Sequence, residues 1–70
     1  MDAERLVAMA NDIAAFFDAE SGPAASEGVR NHIARFWEAR MKREIIEHLR
    51  KGGAGLAPTA RAAIEKLAAA

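Results

Sequence analysis

Apolar residues return at steps of three and four positions between residues 29 and 49, and this spacing limits the segment to helix. The stripe consists of Val29, Ile33, Phe36, Trp37, Met41, Ile45 and Leu49. Such steps place side chains on one face of a helix, whereas a half-buried strand needs a step of two. No run in the chain alternates with a period of two, and Val and Thr are scarce. We therefore predict an all-α fold, a small bundle of three to four short helices.

Turn-forming residues divide the chain into segments of helical length. Gly and Pro at 22–23 and the Gly pair at 52–53 end helices, because glycine adopts the left-handed conformation and proline breaks the hydrogen-bond ladder. The spacing of the apolar residues does not by itself decide whether residues 24–49 form one helix or two. We place a break near Glu38 and Ala39. The predicted organisation is one helical domain over residues 1–70, with helices at about 3–20, 24–37, 40–51 and 58–68.

The 70 residues allow one domain, whose core is too small to supply much stability on its own. The chain has no Cys, which excludes disulfides, thiolate metal sites and cysteine nucleophiles. The net charge is zero, but residues 1–28 hold six acidic side chains against one basic, and residues 29–70 hold nine basic against four acidic. This asymmetry indicates either steering towards a partner or nucleic acid, or acidic and basic helices that pack side by side.

The two histidines and the glycine-rich turn are the main candidates for chemistry, and neither forms a recognisable site. His48 follows Glu44 by one helical turn, but a metal ion needs three or four converging ligands. The GGAGL turn lacks the Lys and the Ser or Thr of a phosphate-binding loop, and it follows a helix rather than a strand. We predict no catalytic, cofactor-binding or metal-binding residues in this chain.

Basic side chains of the second half are interleaved with Glu38, Glu44 and Glu47. They are Arg30, Arg35, Arg40, Lys42, Arg43, Arg50 and Lys51. A dedicated nucleic-acid reader would concentrate its cations on one face, so we interpret these as solvated helix edges and expect no nucleic-acid partner. Arg40 is the exception, because an Arg close to Trp37 can pair with a carboxylate of a protein partner.

The start of the chain and its longest apolar stretch bear on localisation. Met1 is followed by acidic residues rather than by a cationic leader, so we expect no secretory signal. The longest uncharged apolar stretch covers residues 13–17, far short of the roughly 20 residues that cross a bilayer. A cytoplasmic protein with no membrane partner is the expectation.

Two pairs of adjacent aromatic residues stand out, Phe16 with Phe17 and Phe36 with Trp37. Successive residues of a helix are about 100° apart, so both members of a pair cannot face the centre of one small bundle. One member of each pair either covers the edge of a neighbouring helix or anchors a protein interface, where Trp and Arg are over-represented. The sequence leaves both interpretations open.

Three elements of the chain together resemble a known family. An opening helical element contains Asn11, Ile13, Ala14 and Phe16. A segment similar to HIxRFWDPRM contains His32, Ile33, Arg35, Phe36, Trp37, Arg40 and Met41. A turn similar to GGxGL contains Gly52, Gly53, Gly55 and Leu56. On these elements the chain resembles the delta subunit of cytoplasmic NAD-dependent formate dehydrogenases that contain molybdenum or tungsten. It departs from the family pattern at Glu38–Ala39, where Asp-Pro is expected, and at Ala57, where Asp is expected before Pro58.

The resemblance implies a non-catalytic subunit of an oxidoreductase complex rather than an enzyme. In such complexes the catalytic alpha subunit holds bis-molybdopterin guanine dinucleotide and iron–sulfur clusters, and beta and gamma subunits pass electrons to FMN and NAD. The implied role of the delta subunit is to dock on the alpha subunit and to support assembly, cofactor insertion or stability. The predicted partner-binding residues are Phe17, His32, Arg35, Phe36, Trp37, Arg40 and Met41. The alternatives are a free-standing nucleic-acid-binding protein and a homodimeric regulatory protein.

Overall fold

Four α-helices joined by short turns make up the computed structural model, which describes residues 2–69. The helices are α1 (Ala3–Ser21), α2 (Ala25–Phe36), α3 (Ala39–Arg50) and α4 (Pro58–Ala69). A single 3-10 turn, Gly22–Ala24, joins α1 to α2. No strand occurs within residues 2–69, so the predicted all-α bundle is confirmed. Met1 and Ala70, the ends of the predicted domain, lie outside the described residues.

The first helix begins and ends at residues whose chemistry suits those positions. The Asp2 carboxylate accepts a hydrogen bond from the Arg5 amide at 2.9 Å, which satisfies one of the free donors of the first turn. Gly22, with a φ of 53°, follows the last residue of α1, and Pro23 prevents the helix from continuing. The 3-10 turn then leads directly into α2.

The stripe between residues 29 and 49 is carried by two helices rather than one. Trp37 and Glu38 are extended, with ψ angles of 141° and 156°, and they separate α2 from α3. The Lys42 ammonium group donates a hydrogen bond to the Ala34 carbonyl at 3.2 Å and so links the two helices across the break. The Trp37 indole is buried in the core at the same point. These two contacts hold the bend although no proline is present.

The core lies where the apolar faces of all four helices meet. Its largest fully buried side chains are Leu6, Val29, Ile33, Ile45 and Ile64. α2 packs against both α1 and α4, and α3 packs across α4 and α1. Buried alanines on α1 and α4 let these helices approach their neighbours closely, as expected for a domain with few large side chains.

The glycine-rich turn after α3 is a helix stop. The Gly53 amide donates to the His48 carbonyl at 2.9 Å and the Gly52 amide donates to the Leu49 carbonyl at 3.0 Å, which is the Schellman pattern. Gly53 has a φ of 65°, a conformation that favours glycine. The Arg61 guanidinium of α4 donates to the Gly52 and Gly53 carbonyls at 2.9 and 3.0 Å, so the turn is fixed to the last helix.

Candidate functional site

The four predicted contact residues that the structure brings together lie on the outer surface of α1 and α2. They are Phe17, His32, Arg35 and Phe36. The row of rings formed by Phe16, Phe17, His32 and Phe36 runs across this surface, and we call it the aromatic groove. Ring centroids lie 5.3 Å apart for Phe16 and Phe17, 6.4 Å for Phe17 and His32, and 4.8 Å for His32 and Phe36.

The two ends of the aromatic groove are unusually exposed for large apolar side chains. Phe16 is 61% exposed and Phe36 is 67% exposed, although the domain has a core of fully buried side chains. Phe17 and His32 are half-buried between them. Within residues 2–69, Phe16 and Phe36 are the exposed large hydrophobic residues, and both lie on the same surface. Apolar groups gathered in this way mark a contact site more often than scattered ones do.

Gly28 of α2 is what allows Phe17 of α1 to lie in the groove. A Cβ atom at position 28 would stand 2.5 Å from Cδ1 of Phe17, well inside the contact distance. Gly in the middle of a helix costs up to about 1 kcal/mol relative to Ala. The missing side chain at position 28 therefore leaves the space on α2 that the Phe17 ring occupies.

Two hollows open on either side of the Phe17–His32 pair. The first, of about 310 Å³, is lined by Asp12, Ile13, Phe16, Phe17 and His32. The second, of about 280 Å³, is lined by Phe17, Gly28, Asn31, His32, Arg35 and Phe36. Each hollow is mainly apolar and has one charged residue at its edge. The Arg35 guanidinium carbon is 5.7 Å from the centroid of the Phe36 ring, within the range of a cation–π contact.

The structure corrects the prediction that Trp37 offers a partner contact. Trp37 is only 6% exposed and belongs to the core cluster. The reason is the break at residues 37–38, which turns this side chain inward while Phe36, the last residue of α2, remains outside. The indole therefore stabilises the fold, and its neighbour provides the exposed ring.

Phe16 belongs to the aromatic groove but not to the predicted set of contact residues. The adjacency of Phe16 and Phe17 showed that one of them must leave the core, but not which one. The buried positions Leu6, Ala10 and Ala14 recur every four residues and place Phe17 closer to the buried face than Phe16. The angular position of each residue around the axis of α1, counted from the start of the helix, is therefore the signal that could have identified Phe16 as the exposed member of the pair.

Met41 and Arg40 lie apart from the aromatic groove, on α3. Met41 is half-buried and packs against the core. Arg40 is exposed and lies at a separate open hollow of about 470 Å³. The lining of that hollow consists of Arg40, Arg43, Glu44, Ile46, Glu47 and Arg50. Acidic and basic side chains are mixed there, and Arg50 forms an exposed ion pair with Glu47 at 3.9 Å.

The described part of the chain gives little support to a metal site, to a catalytic role of His48 or to a membrane span. Among residues 2–69 no three His, Asp or Glu side chains gather as metal ligands would. The Nε2 atom of His48 lies 2.8 Å from the Ala54 carbonyl oxygen, so this histidine is engaged with the turn. No helix in this range has both the length and the apolar character needed to cross a membrane.

Comparison with known proteins places the chain in a family. The family model that matches is described as the NADH-dependent formate dehydrogenase delta subunit FdsD, and it covers residues 5–64. No curated protein and no solved structure gives a significant match. The matched range contains the whole aromatic groove and the glycine-rich turn, and it extends into all four helices. The chain therefore belongs to the family of NADH-dependent formate dehydrogenase delta subunits.

Proposed function

We propose that this chain is a non-catalytic accessory subunit that docks on the catalytic alpha subunit of formate dehydrogenase through the aromatic groove. The observation that carries the proposal is the exposure of Phe16 and Phe36 on one surface of a domain that buries its other large apolar side chains wholly or in part. The family supports it, because a delta subunit belongs to a complex of several subunits.

Burial of these rings is large enough to matter for association. Each fully buried Phe side chain contributes about 1.5–3 kcal/mol, and a few such residues usually dominate a protein interface. The half-buried Phe17 and His32 adjoin them and extend the contact surface. Arg35 at the groove and Arg40 on α3 are available for pairs with partner carboxylates at the rim.

In this proposal the redox cofactors belong to the partners. The alpha subunit holds bis-molybdopterin guanine dinucleotide and iron–sulfur clusters, and the beta and gamma subunits serve FMN and NAD. The present chain supports assembly, cofactor insertion or stability of that cytoplasmic complex. The absence of cysteine in the chain is in keeping with this division, since thiolates are the usual ligands of iron–sulfur clusters.

The docking surface is tested by co-expression with a tagged catalytic subunit. We expect Phe16→Ala and Phe36→Ala each to weaken retention about tenfold or more, because each removes an exposed ring that docking would bury. Glu65→Ala, a change at an exposed position of α4, is the control and should be retained like the wild type. Retention of both Phe variants at the wild-type level would contradict the proposal.

A second measurement separates the possible roles of docking. The catalytic subunit is purified with and without this chain, and its yield, oligomeric state and molybdenum or tungsten content per polypeptide are compared. If the catalytic subunit purified without this chain is soluble but lacks the metal, the chain has a role in cofactor insertion. If that subunit aggregates instead, the chain has a role in stability. Unchanged yield, state and metal content would argue against all three roles.

A further inference from the structure

We infer that the aromatic groove receives an amphipathic helix of the catalytic subunit, with two apolar side chains about one turn apart, a basic residue facing Asp12 and an acidic residue facing Arg35. The inference rests on the proposed function and specifies the chemistry of the partner segment. Three observations carry it: the helical walls of the groove, the adjacency of its two hollows, and the opposite charges at their edges.

The walls of the groove select a helix over an extended strand. Asp12, Phe16 and Phe17 belong to α1, and His32 and Phe36 belong to α2. The backbone hydrogen bonds of these segments are made within the helices, so the groove presents side chains and no free sheet edge. A helix that lays its apolar face between two others buries side chains without needing backbone partners, because its own backbone is already satisfied.

The adjacency of the two hollows indicates how far apart the apolar side chains of the incoming helix should lie. Both hollows are lined by Phe17 and His32, so they adjoin each other. Side chains three or four residues apart on a helix have Cβ atoms about 5–6 Å apart, and one turn rises about 5.4 Å. Two apolar residues at such positions can therefore enter the two hollows together, one on each side of the shared wall.

The edges of the groove carry opposite charges. Asp12 lines the first hollow and Arg35 lines the second. Both residues are exposed, and in the described part of the chain neither has an ion-pair partner. A helix with a basic residue near its first anchor and an acidic residue near its second would pair with both, and the reversed orientation would place like charges together. The groove thus specifies the direction of the incoming helix.

A second copy of this chain is the competing occupant. Its surface also has acidic and basic edges, so charge alone does not exclude it. Membership in a family of delta subunits favours a different polypeptide, because these subunits belong to a larger complex. The test therefore includes the oligomeric state of the isolated chain.

Charge-reversal variants test the inference. Asp12→Arg and Arg35→Glu are compared with the neutral Asp12→Asn and Arg35→Gln for binding to the tagged catalytic subunit at about 50 mM and about 500 mM salt. We expect each reversal to weaken binding about tenfold at low salt, each neutral change to weaken it less, and high salt to reduce the difference. Arg43→Glu and Glu65→Arg are matched controls at exposed positions of α3 and α4, and both should bind within about twofold of the wild type.

The outcomes distinguish this inference from the proposed function. If the wild type does not bind the catalytic subunit, the proposed function fails. If the wild type binds and the Phe variants do not, but the groove reversals behave like the control reversals, the proposed function stands and the inference is overturned. A dimer of the isolated chain that Phe36→Ala and Arg35→Glu both dissociate would also overturn it, by identifying a second copy as the occupant.

Photo-crosslinking identifies the partner segment directly. A photoreactive phenylalanine analogue is placed at position 16, and the cross-linked peptide of the catalytic subunit is found by mass spectrometry. We expect a helical segment with apolar residues three or four positions apart, flanked by a basic and an acidic residue. Cross-links confined to a strand or an irregular loop would overturn the inference.

Discussion

At the scale of single residues, Phe36 and Trp37 show how neighbours in the sequence take opposite roles. Trp37 is 6% exposed and Phe36 is 67% exposed, although one peptide bond separates them. The chain leaves its helix between them, so the side chain after the break turns towards the core. A sequence motif that contains both residues therefore combines a contribution to stability with a contribution to surface contact.

Trp37→Ala is expected to unfold most of the protein. A buried Trp replaced by Ala typically costs about 3–5 kcal/mol, which is about the whole free energy of unfolding of a domain this small. Phe36→Ala is the control, and its unfolding free energy should differ from the wild type by less than about 0.5 kcal/mol. Urea unfolding of the isolated chain, followed by circular dichroism, measures both. A Trp37→Ala variant with the wild-type midpoint would show that the indole is not part of the core.

At the scale of secondary-structure elements, α3 and α4 begin without the capping residues that the family pattern provides. Glu38 makes no side-chain hydrogen bond at the start of α3. Ahead of Pro58, the Ala57 amide donates instead to Oδ1 of Asn11, at 2.9 Å. The Asn11 amide group also donates to the Gly55 carbonyl at 2.9 Å, so a side chain of α1 organises the entry to α4.

Asn11→Ala should destabilise the fold through the start of α4. The change removes the partner of the half-buried Ala57 amide and of the exposed Gly55 carbonyl, and a typical intramolecular hydrogen bond contributes about 0.5–1.5 kcal/mol. Asp12→Ala, at the adjacent exposed position, is the matched control and should change the unfolding free energy by less than about 0.5 kcal/mol. Equal unfolding midpoints for the two variants would rule out this role for Asn11.

Ala39→Pro should stabilise the protein. Ala39 is the first residue of α3, where the amide needs no helical partner, and Glu38 before it is already extended, as a residue before proline must be. The expected gain is about 0.4–1 kcal/mol, mainly because proline restricts the unfolded chain. Ala62→Pro, inside α4, is the contrasting variant and should cost about 3 kcal/mol or more. A lower thermal midpoint for Ala39→Pro would show that α3 does not begin at this residue.

At the scale of the whole molecule, the acidic and basic halves of the chain pack together with little direct pairing. In the described residues, the ion pair that joins the two halves is Lys66 with Glu27, at 4.0 Å and largely exposed. Thr59 donates a hydrogen bond to Asp18 at 2.7 Å and adds one polar contact between α4 and α1. Side-by-side packing of the halves therefore does not neutralise their charges, and most remain available to a partner.

Salt should consequently affect association more than folding. Exposed ion pairs contribute about 0–1 kcal/mol, so we expect the unfolding free energy to change by less than about 1 kcal/mol between about 50 mM and about 500 mM salt. Binding to the catalytic subunit should weaken over the same range, because Asp12 and Arg35 at the groove have no ion-pair partner within residues 2–69 and can pair with the catalytic subunit instead. If the unfolding free energy and the binding to the catalytic subunit fall to a similar extent as salt is raised, this prediction is wrong.

The sequence by itself determined the helical period, the positions of the turns and the elements that carry the family resemblance. These depend on local backbone geometry: a step of three or four residues, a left-handed glycine and a proline have their effects within one helical turn. The family match over residues 5–64 confirms the resemblance. Phe36 and Phe17 were also identified from the sequence as candidates for the contact surface, a role that remains a prediction.

Only the tertiary structure decided that Trp37 faces inward while Phe36 faces outward, and which side chain organises the start of α4. The sequence placed the break near residue 38, but the burial of Trp37 depends on how the chain at this bend packs against the other helices. The bond between Asn11 and Ala57 joins residues 46 positions apart. The physical reason is common to both: local geometry sets the helices and their turns, but only the packing of the helices decides which direction is the inside and which distant residues meet.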